Sequence, residues 1–205
     1  MSCRAADLPL NCVARGLRHS IMTTFVSMIR GINVAGHRPV RMDRLVCLYA
    51  DMGFGNPRAY LQSGNVVFEA KGGARHDLAG ALERRILKDL GLEVSVALRT
   101  SAEMTGALAA NPFARRPGID PRFMYATFLI RNVGPGSLDA IALPVVPGEE
   151  AILIGSVVYL HCPFGFGRTK INNAFFERAL RTAATTRNWQ TVTALESMAR
   201  GVPQG

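Results

Sequence analysis

The chain has 205 residues and a mass of 22.2 kDa, with 48% hydrophobic and 19% charged residues. This balance excludes the disordered, collagen-like and coiled-coil classes and is typical of a soluble globular protein. The longest uncharged apolar stretch, residues 151–160, is shorter than the ~20 residues that a membrane-spanning helix needs, so no membrane partner is expected.

The net charge is +9, because 24 lysines and arginines outnumber 15 aspartates and glutamates. A positive chain favours anionic partners, which include phosphorylated metabolites and nucleic acids. The arginines are scattered, and the sequence contains no concentrated basic segment. The charge therefore supports a small anionic partner and gives weaker support to nucleic acid.

The cysteines at positions 3, 12, 47 and 162 form no Cys-x-x-Cys pair, and no histidine stands at zinc-finger spacing from them. No metal and no cofactor are therefore expected, and the pattern favours free thiols in a cytoplasmic protein. Residues 1–21 have neither a sustained apolar segment nor a periodic pattern, which argues against a secretory signal. They are predicted to be a disordered N-terminal extension, or to precede a translation start at Met22.

Residues 22–99 follow the order strand, helix, strand, strand, helix, strand. Apolar residues on one face predict the two helices, the first from about Met42 to Met52 and the second over about 78–90. The segment Ser63-Gly64-Asn65 predicts a hairpin turn, since glycine accepts a positive φ there. The order βαββαβ is that of a ferredoxin-like unit, an antiparallel sheet with both helices on one face.

Residues 100–205 run similarly, after a linking helix that Thr100 and Glu103 open as a capping box. The remaining predicted elements are a strand at 123–130, a short helix at 136–143, paired strands at 151–154 and 157–162, and helices at 170–180 and 188–199. A helix thus stands where the sixth element would be a strand. The predicted fold class is α+β, with two ferredoxin-like halves of antiparallel sheet, the second ending in an extra helix.

The strand-to-helix loop at 163–173 is the first candidate site for an anion. Gly165 and Gly167 let the backbone approach a ligand closely, and Lys170 and Asn172 stand near the predicted helix start. Unpaired N–H groups at a helix N-terminus favour an anion. The lysine spacing differs from that of a P-loop, which excludes Walker-type nucleotide hydrolysis. The alternative interpretation is a plain chain reversal followed by a capped helix.

Two further turns are candidates of the same kind. Arg30 and Asn33 lie in a loop, with Gly31 and Gly36, that follows a strand and precedes a helix. Asn65 ends the predicted hairpin turn and supplies both a donor and an acceptor. Ordinary crossover and hairpin turns explain the two segments equally well, so both interpretations stay open.

The last candidate stands at the start of the final predicted helix. Asn188 is predicted to cap this helix, and Arg187 adds positive charge beside the helix N-terminus. The alternative is a capped terminal helix that Trp189 anchors in the core, with Arg187 in solvent.

No catalytic set is predicted from the sequence. His161 and Cys162 are neighbours in a strand, so their side chains point to opposite faces and form no nucleophile–base pair. The chain has no Gly-x-Ser-x-Gly, His-Glu-x-x-His or EF-hand motif. Whether the protein is an enzyme stays open, and positioning of a substrate is the only catalytic strategy that the sequence supports.

Three segments together resemble the hallmark segments of a bacterial family, the domain of unknown function numbered sixteen ninety-seven. They are FVSMIRGINVAG at 25–36, YLQSGNVVF at 60–68 and TRNWQTV at 186–192. The resemblance runs from about residue 22 to about residue 200, and TKINN at 169–173 is similar to a further family pattern. Ala35 departs from the glycine that is frequent in the family.

The resemblance implies a compact α+β protein of the bacterial cytoplasm, without an activity to carry over. It also suggests that the candidate loops belong to one feature. Because two of these loops lead from a strand to a helix, our hypothesis is that they form one polar cleft that binds a small anionic ligand such as a phosphorylated molecule. The residues predicted to bind this ligand are Arg30, Asn33, Asn65, Gly165, Gly167, Lys170, Asn172, Arg187 and Asn188.

Two other functions stay open at this point. One is a nucleic-acid-binding module, in which aromatic residues on the sheets stack on bases. Alternation along the strands argues that most of these aromatic residues face the core instead. The other is a structural or partner-binding protein, which would expose an apolar patch of several hundred Å². The sequence makes no prediction of the oligomeric state.

Overall fold

The computed structural model describes residues 22–33, 40–71 and 75–202. The predicted N-terminal extension at 1–21 and the predicted turn residue Gly36 lie outside these residues. Within the described part of the chain, none of the helices is long and apolar enough to cross a membrane.

The first half forms a four-stranded sheet with two helices. Its elements are β1 (Met22–Ile29), α1 (Met42–Asp51), β2 (Gly55–Tyr60), β3 (Asn65–Lys71), α2 (Arg75–Leu90) and β4 (Val96–Thr100). The strand order is β2-β3-β1-β4, and every neighbouring pair is antiparallel. Gly64 lies at φ +74° in the turn between β2 and β3. The predicted βαββαβ order and its hairpin are therefore confirmed.

The second half builds a sheet of the same design. Its elements are α3 (Ser101–Ala109), β5 (Met124–Leu129), β6 (Glu150–Ile154), β7 (Val157–His161), α4 (Asn173–Leu180), β8 (Ala184–Asn188) and α5 (Trp189–Ala199). The strand order β6-β7-β5-β8 matches that of the first sheet position by position, again with antiparallel neighbours. The fold is α+β and consistent with two repeated halves, as the sequence predicts.

Two predictions for the second half are wrong. Residues 136–143 form turns instead of a helix, because Gly136 has φ +74° and only Leu138 of this segment is buried. Leu138 is buried, and Ile141 and Leu143 pack against the core from this irregular segment. The sixth strand exists as β8, directly before the last helix. Its sequence, ATTRN, lacks apolar alternation, and the strand is held by its pairing with β5.

The strand register shows that the terminal helices α3 and α5 are counterparts. Phe25 of β1 lies opposite Thr100 of β4, and Tyr125 of β5 lies opposite Asn188 of β8. Thr100 and Asn188 each end a strand and cap the helix that follows, by accepting a hydrogen bond from an N–H three residues ahead. The predicted capping box and the predicted cap of the last helix are both confirmed. The junction between β4 and α3 is therefore the counterpart of the junction between β8 and α5.

The hydrophobic core consists of three clusters arranged in layers. One cluster packs α1 and α2 against the first sheet, and a second packs α4 against the second sheet. The third cluster lies between the two sheets, where α3 and α5 contribute alongside residues of both sheets. The two halves therefore share one central core.

Two buried arginines join the halves by reciprocal hydrogen bonds. Arg99 on β4 donates from Nη2 to the Leu129 carbonyl at 2.7 Å and to Ser156 Oγ at 3.1 Å. Arg187 on β8 donates from Nη2 to the Ile29 carbonyl at 3.1 Å. The register makes Arg99 the counterpart of Arg187, and Ile29 the counterpart of Leu129. Each half thus presents the same guanidinium group to the same carbonyl group of the other half.

The C-terminal end of α4 carries a residue in an unfavourable backbone conformation. Arg181 follows the helix in the left-handed region, at φ 52° and ψ 38°, and is exposed to solvent. This region costs a residue with a Cβ atom roughly 1–2 kcal/mol, which is why glycine is common at this position of helices. Glycine at position 181 should therefore make the protein more stable.

Arg181→Gly should raise the free energy of unfolding by about 1 kcal/mol, because glycine adopts the left-handed conformation without steric conflict. Arg178→Gly is the matched control, since Arg178 is exposed inside the same helix, and it should lower that free energy by about 1 kcal/mol. Urea unfolding followed by circular dichroism measures both values. Changes of the same sign in the two variants would contradict the left-handed cap.

Candidate functional site

A cavity between the two halves gathers four of the predicted ligand-binding residues, Arg30, Asn33, Arg187 and Asn188. Its volume is about 550 Å³, within the ~300–1,000 Å³ typical of ligand sites. The other lining residues are Ile29, Gly31, Ile32, Leu61, Ser63, Tyr125, Phe166, Asn173, Thr185, Thr186 and Thr191. We call this cavity the inter-half cleft.

The guanidinium group of Arg187 is held by neutral acceptors from both halves. Nε donates to Asn65 Oδ1 at 2.6 Å, and Nη1 donates to Thr185 Oγ1 at 2.7 Å and to the Thr186 carbonyl at 2.9 Å. Nη2 donates to the carbonyls of Ile29, at 3.1 Å, and Ser63, at 3.0 Å. Every N–H of the guanidinium group is therefore used, and none of these acceptors is a carboxylate.

Arg187 is a buried cation without a bonded counter-charge. Its exposed fraction is 9%, and burial lowers its pKa to about 10, so the group still carries its charge at neutral pH. The interpretation that placed Arg187 in solvent is wrong. The side chain points between the halves because strand β8, which the sequence pattern did not reveal, aims it away from the surface.

Arg30, at the end of β1, forms an ion pair with Glu177 of α4 across the two halves. Its Nη2 donates to Glu177 Oε2 at 2.7 Å, and its Nε donates to Oε1 of the same carboxylate. The backbone N–H of Ala184 also donates to Glu177 Oε1, at 3.0 Å. The charge of Arg30 is thus balanced by Glu177, whereas that of Arg187 is not.

The two predicted asparagines of the first half mainly hold the loops in place. Asn33 donates to the carbonyls of Val40, at 2.9 Å, and Gln62, at 2.7 Å, and its Oδ1 accepts from the Val40 N–H at 2.6 Å. Asn65 is fully buried behind the cleft wall, where it accepts from Arg187 and donates to the Tyr60 carbonyl at 3.1 Å. Asn33 lines the cleft, and Asn65 supports Arg187 from behind.

The loop at 163–173 reaches the cleft through residues that the sequence analysis did not single out, namely Phe166 and Asn173. Gly165 and Gly167 flank Phe166, and Gly165 has φ +86°. Asn172 caps α4 by accepting from the Phe175 N–H at 3.1 Å, and Lys170 is exposed. Neither of these two predicted residues is among those that line the cleft.

Other missed residues complete the cleft through side-chain hydrogen bonds. Thr186 donates to Asn173 Oδ1 at 2.6 Å and lies 2.7 Å from Thr127 Oγ1 of the neighbouring strand. The Tyr125 hydroxyl accepts from the Phe166 N–H at 3.4 Å, and the two rings lie 5.2 Å apart. The polar sequence TTRN was the signal available for these residues, since polar side chains on a buried strand need hydrogen-bond partners.

The structure brings no catalytic set together among the described residues that the sequence analysis considered. Burial raises the pKa of the Cys162 thiol to about 12, so this cysteine stays protonated and unreactive at neutral pH. In the same part of the chain, no three His, Cys, Asp or Glu residues are grouped to hold a metal ion. The chemistry that the cleft offers is binding through charge and hydrogen bonds.

Arg187→Lys should lower the free energy of unfolding by about 2–4 kcal/mol, although it keeps the charge. A lysine has three donors on one atom, so at least two of the buried acceptors around Arg187 lose their partner, at about 1–3 kcal/mol each. Arg168→Lys, at an exposed position, is the control and should change stability by less than about 0.5 kcal/mol. Equal stability of both variants in urea unfolding would contradict the joining role of Arg187.

A family model described as "Protein of unknown function (DUF1697)" matches residues 22–159. No curated protein matches the chain. Among solved structures, the conserved bacterial protein SP0830 from Streptococcus pneumoniae is similar, with a TM-score of 0.66 and 19% identity over 87% of this chain and 99% of that chain. This likeness concerns the fold alone. Because the family model matches more than half of the chain, the chain belongs to the DUF1697 family of proteins of unknown function.

Proposed function

We propose that the protein binds a small anionic ligand in the inter-half cleft. The observation that carries the proposal is Arg187, a buried cation at the cleft wall whose hydrogen-bond acceptors are all neutral. A buried charge lies in a medium of low effective dielectric constant, so it attracts a nearby anion more strongly than a charge in water does. A phosphate or carboxylate group in the cleft would supply the missing counter-charge.

The ligand contacts come from groups whose hydrogen-bonding capacity is not yet filled. Arg30 uses Nε and Nη2 on Glu177, which leaves Nη1 for a ligand oxygen. Asn173 accepts from Thr186 through Oδ1, which leaves its Nδ2 as a donor. Arg187 acts through its charge, because its own N–H groups are already bonded.

The loop at 163–173 is proposed to form one side of the site. Phe166 and Asn173 already line the cleft, and Gly165 and Gly167 flank Phe166 on either side. Lys170 is exposed and is proposed to add positive charge from outside the cleft, while Asn172 fixes the start of α4. These assignments, and a cytoplasmic location, stay predictions.

The aromatic residues of the sheets support a small ligand over nucleic acid. Phe68, Phe128 and Tyr159 are at most 1% exposed, so these three cannot stack on bases, whereas Tyr60 and Tyr125 are half-buried and each lines a cavity. Packed helices cover these sheet faces, whereas an RNA-binding sheet leaves its aromatic residues open. No observation on the described residues favours the structural or partner-binding alternative.

Arg30→Gln and Glu177→Gln should change the affinity for inorganic pyrophosphate in opposite directions. Arg30→Gln removes a positive donor and should weaken binding about tenfold, whereas Glu177→Gln frees Arg30 from its carboxylate and should strengthen it severalfold. Isothermal titration at low salt measures both affinities. The two substitutions break the same ion pair, so an effect on structure alone would change both affinities in the same direction. That result would contradict the proposal.

Lys170→Ala tests how much the exposed loop contributes to binding in comparison with the cleft. Because Lys170 is exposed and does not line the cleft, its loss should weaken pyrophosphate binding by less than the loss of Arg30 does. Arg168→Ala, another exposed cation of the same loop, is the matched control. Absence of pyrophosphate binding to the unaltered protein at low salt would refute the anion site altogether.

A further inference from the structure

A second cavity, of about 800 Å³, adjoins the inter-half cleft, and its lining includes two aromatic side chains, Tyr60 and Trp189. Gln190, Ala194 and Ser197 of α5 also line it, so that it offers apolar surface with a few polar groups. This combination is typical of pockets for organic ligands. We call this second cavity the aromatic groove.

The groove and the cleft meet at one residue. Arg187 lines the cleft, Trp189 lines the groove, and Asn188 between them lines both. The Cα atoms of Arg187 and Trp189 are at most about 7 Å apart, so the backbone that carries the charged wall continues directly into the aromatic wall. The two cavities can therefore serve as the two parts of a single site.

Trp189 is held firmly at the start of α5. Its ring lies 6.5 Å from that of Tyr159, at an interplanar angle of 62°, and Tyr159 donates from its hydroxyl to the Ala107 carbonyl at 2.8 Å. Trp189 itself is only half-buried and contributes to the wall of the groove. A fixed, partly open aromatic side chain is suited to contact a planar ring.

The cation at the edge of the groove is already neutralised. Arg122 lines the groove, but its Nε donates to both oxygens of Asp120, at 3.2 Å to Oδ1 and 2.9 Å to Oδ2, and its Nη2 donates to Oδ2 at 2.6 Å. The lining of the groove therefore adds no unpaired cation, whereas the cleft wall holds Arg187, whose acceptors are all neutral. A ligand that fits both cavities carries its charge at one end.

We propose that the ligand joins a planar aromatic ring to one anionic group, as a free nucleotide does, with the ring in the aromatic groove and the anionic group in the inter-half cleft. This inference rests on the anion site proposed above. It adds the class of the ligand and assigns Tyr60 and Trp189 to recognition of the ring.

The chain contains a single tryptophan, Trp189, so intrinsic fluorescence reports directly on the groove. The probes are adenosine monophosphate, adenosine and inorganic phosphate, each titrated at low salt. Adenosine monophosphate should change the emission and bind at least about tenfold more tightly than either fragment alone, because it joins two contacts in one molecule. Inorganic phosphate should bind with little change in emission.

Trp189→Leu keeps an apolar side chain but removes the ring. It should lower the affinity for adenosine monophosphate about tenfold, measured by calorimetry, and leave the affinity for inorganic phosphate unchanged. Trp189→Phe is the matched control and should retain most of the affinity, since it keeps an aromatic ring. Tyr60→Leu provides the same test from the first half if the helix variant does not fold. A loss of phosphate binding in the leucine variants would overturn the assignment of the ring to the groove.

The outcomes separate this inference from the anion site. Phosphate binding without tighter binding of adenosine monophosphate would overturn the inference and leave the anion site standing. Binding of adenosine without binding of phosphate would overturn the anion site, and the two-part ligand with it. If a single-stranded oligonucleotide binds more tightly than adenosine monophosphate, the ligand is a nucleic acid, and the proposal of a free nucleotide is overturned.

Discussion

The structure depends on one reciprocal interaction, in which a buried guanidinium group of each half bonds to the backbone of the other. Arg99 reaches the Leu129 carbonyl, and Arg187 reaches the Ile29 carbonyl. A cation without a bonded carboxylate is costly inside a protein, so it persists only where its N–H groups find acceptors. The carbonyl oxygens of Ile29 and Leu129, the last residues of the interior strands β1 and β5, supply them. The shared core and the arginines therefore fix the halves together at the same place where the cleft opens.

The fold could be predicted in large part because its signals are local. The capping box at Thr100 and the turn glycine at position 64 act within four residues, and both are confirmed. Strand β8 carried no such signal, since ATTRN is held by pairing with a strand about sixty residues away. Burial of Arg187 was unpredictable for the same reason, because its partner Asn65 lies 122 residues earlier. Tertiary partners, rather than local preference, decided both cases.

The candidate site was predicted as a set of loops, and the structure sorts that set by role. Arg30 and Arg187 line the cleft, whereas Asn172 caps a helix and Asn65 supports an arginine. Sequence reasoning left open whether these polar residues contact a ligand or only cap helices and close turns. In the structure, the asparagines mostly satisfy backbone groups, which is what polar residues in turns usually do. The capacity proposed for an anion therefore lies in the charge of Arg187, in Nη1 of Arg30 and in Nδ2 of Asn173.

The repeated halves offer two equivalent places for a ligand, but only one has the chemistry. At the counterpart of Arg30 stands Ile130, as the paired backbone hydrogen bonds of the two strands show. At the counterpart of Trp189 stands Ser101, since Thr100 and Asn188 are equivalent caps. Both the anion donor and the aromatic ring are thus missing from one side. Equivalence of the backbone preserves the joining arginines, while divergence of the side chains confines the residues of the proposed site to one side of the repeat.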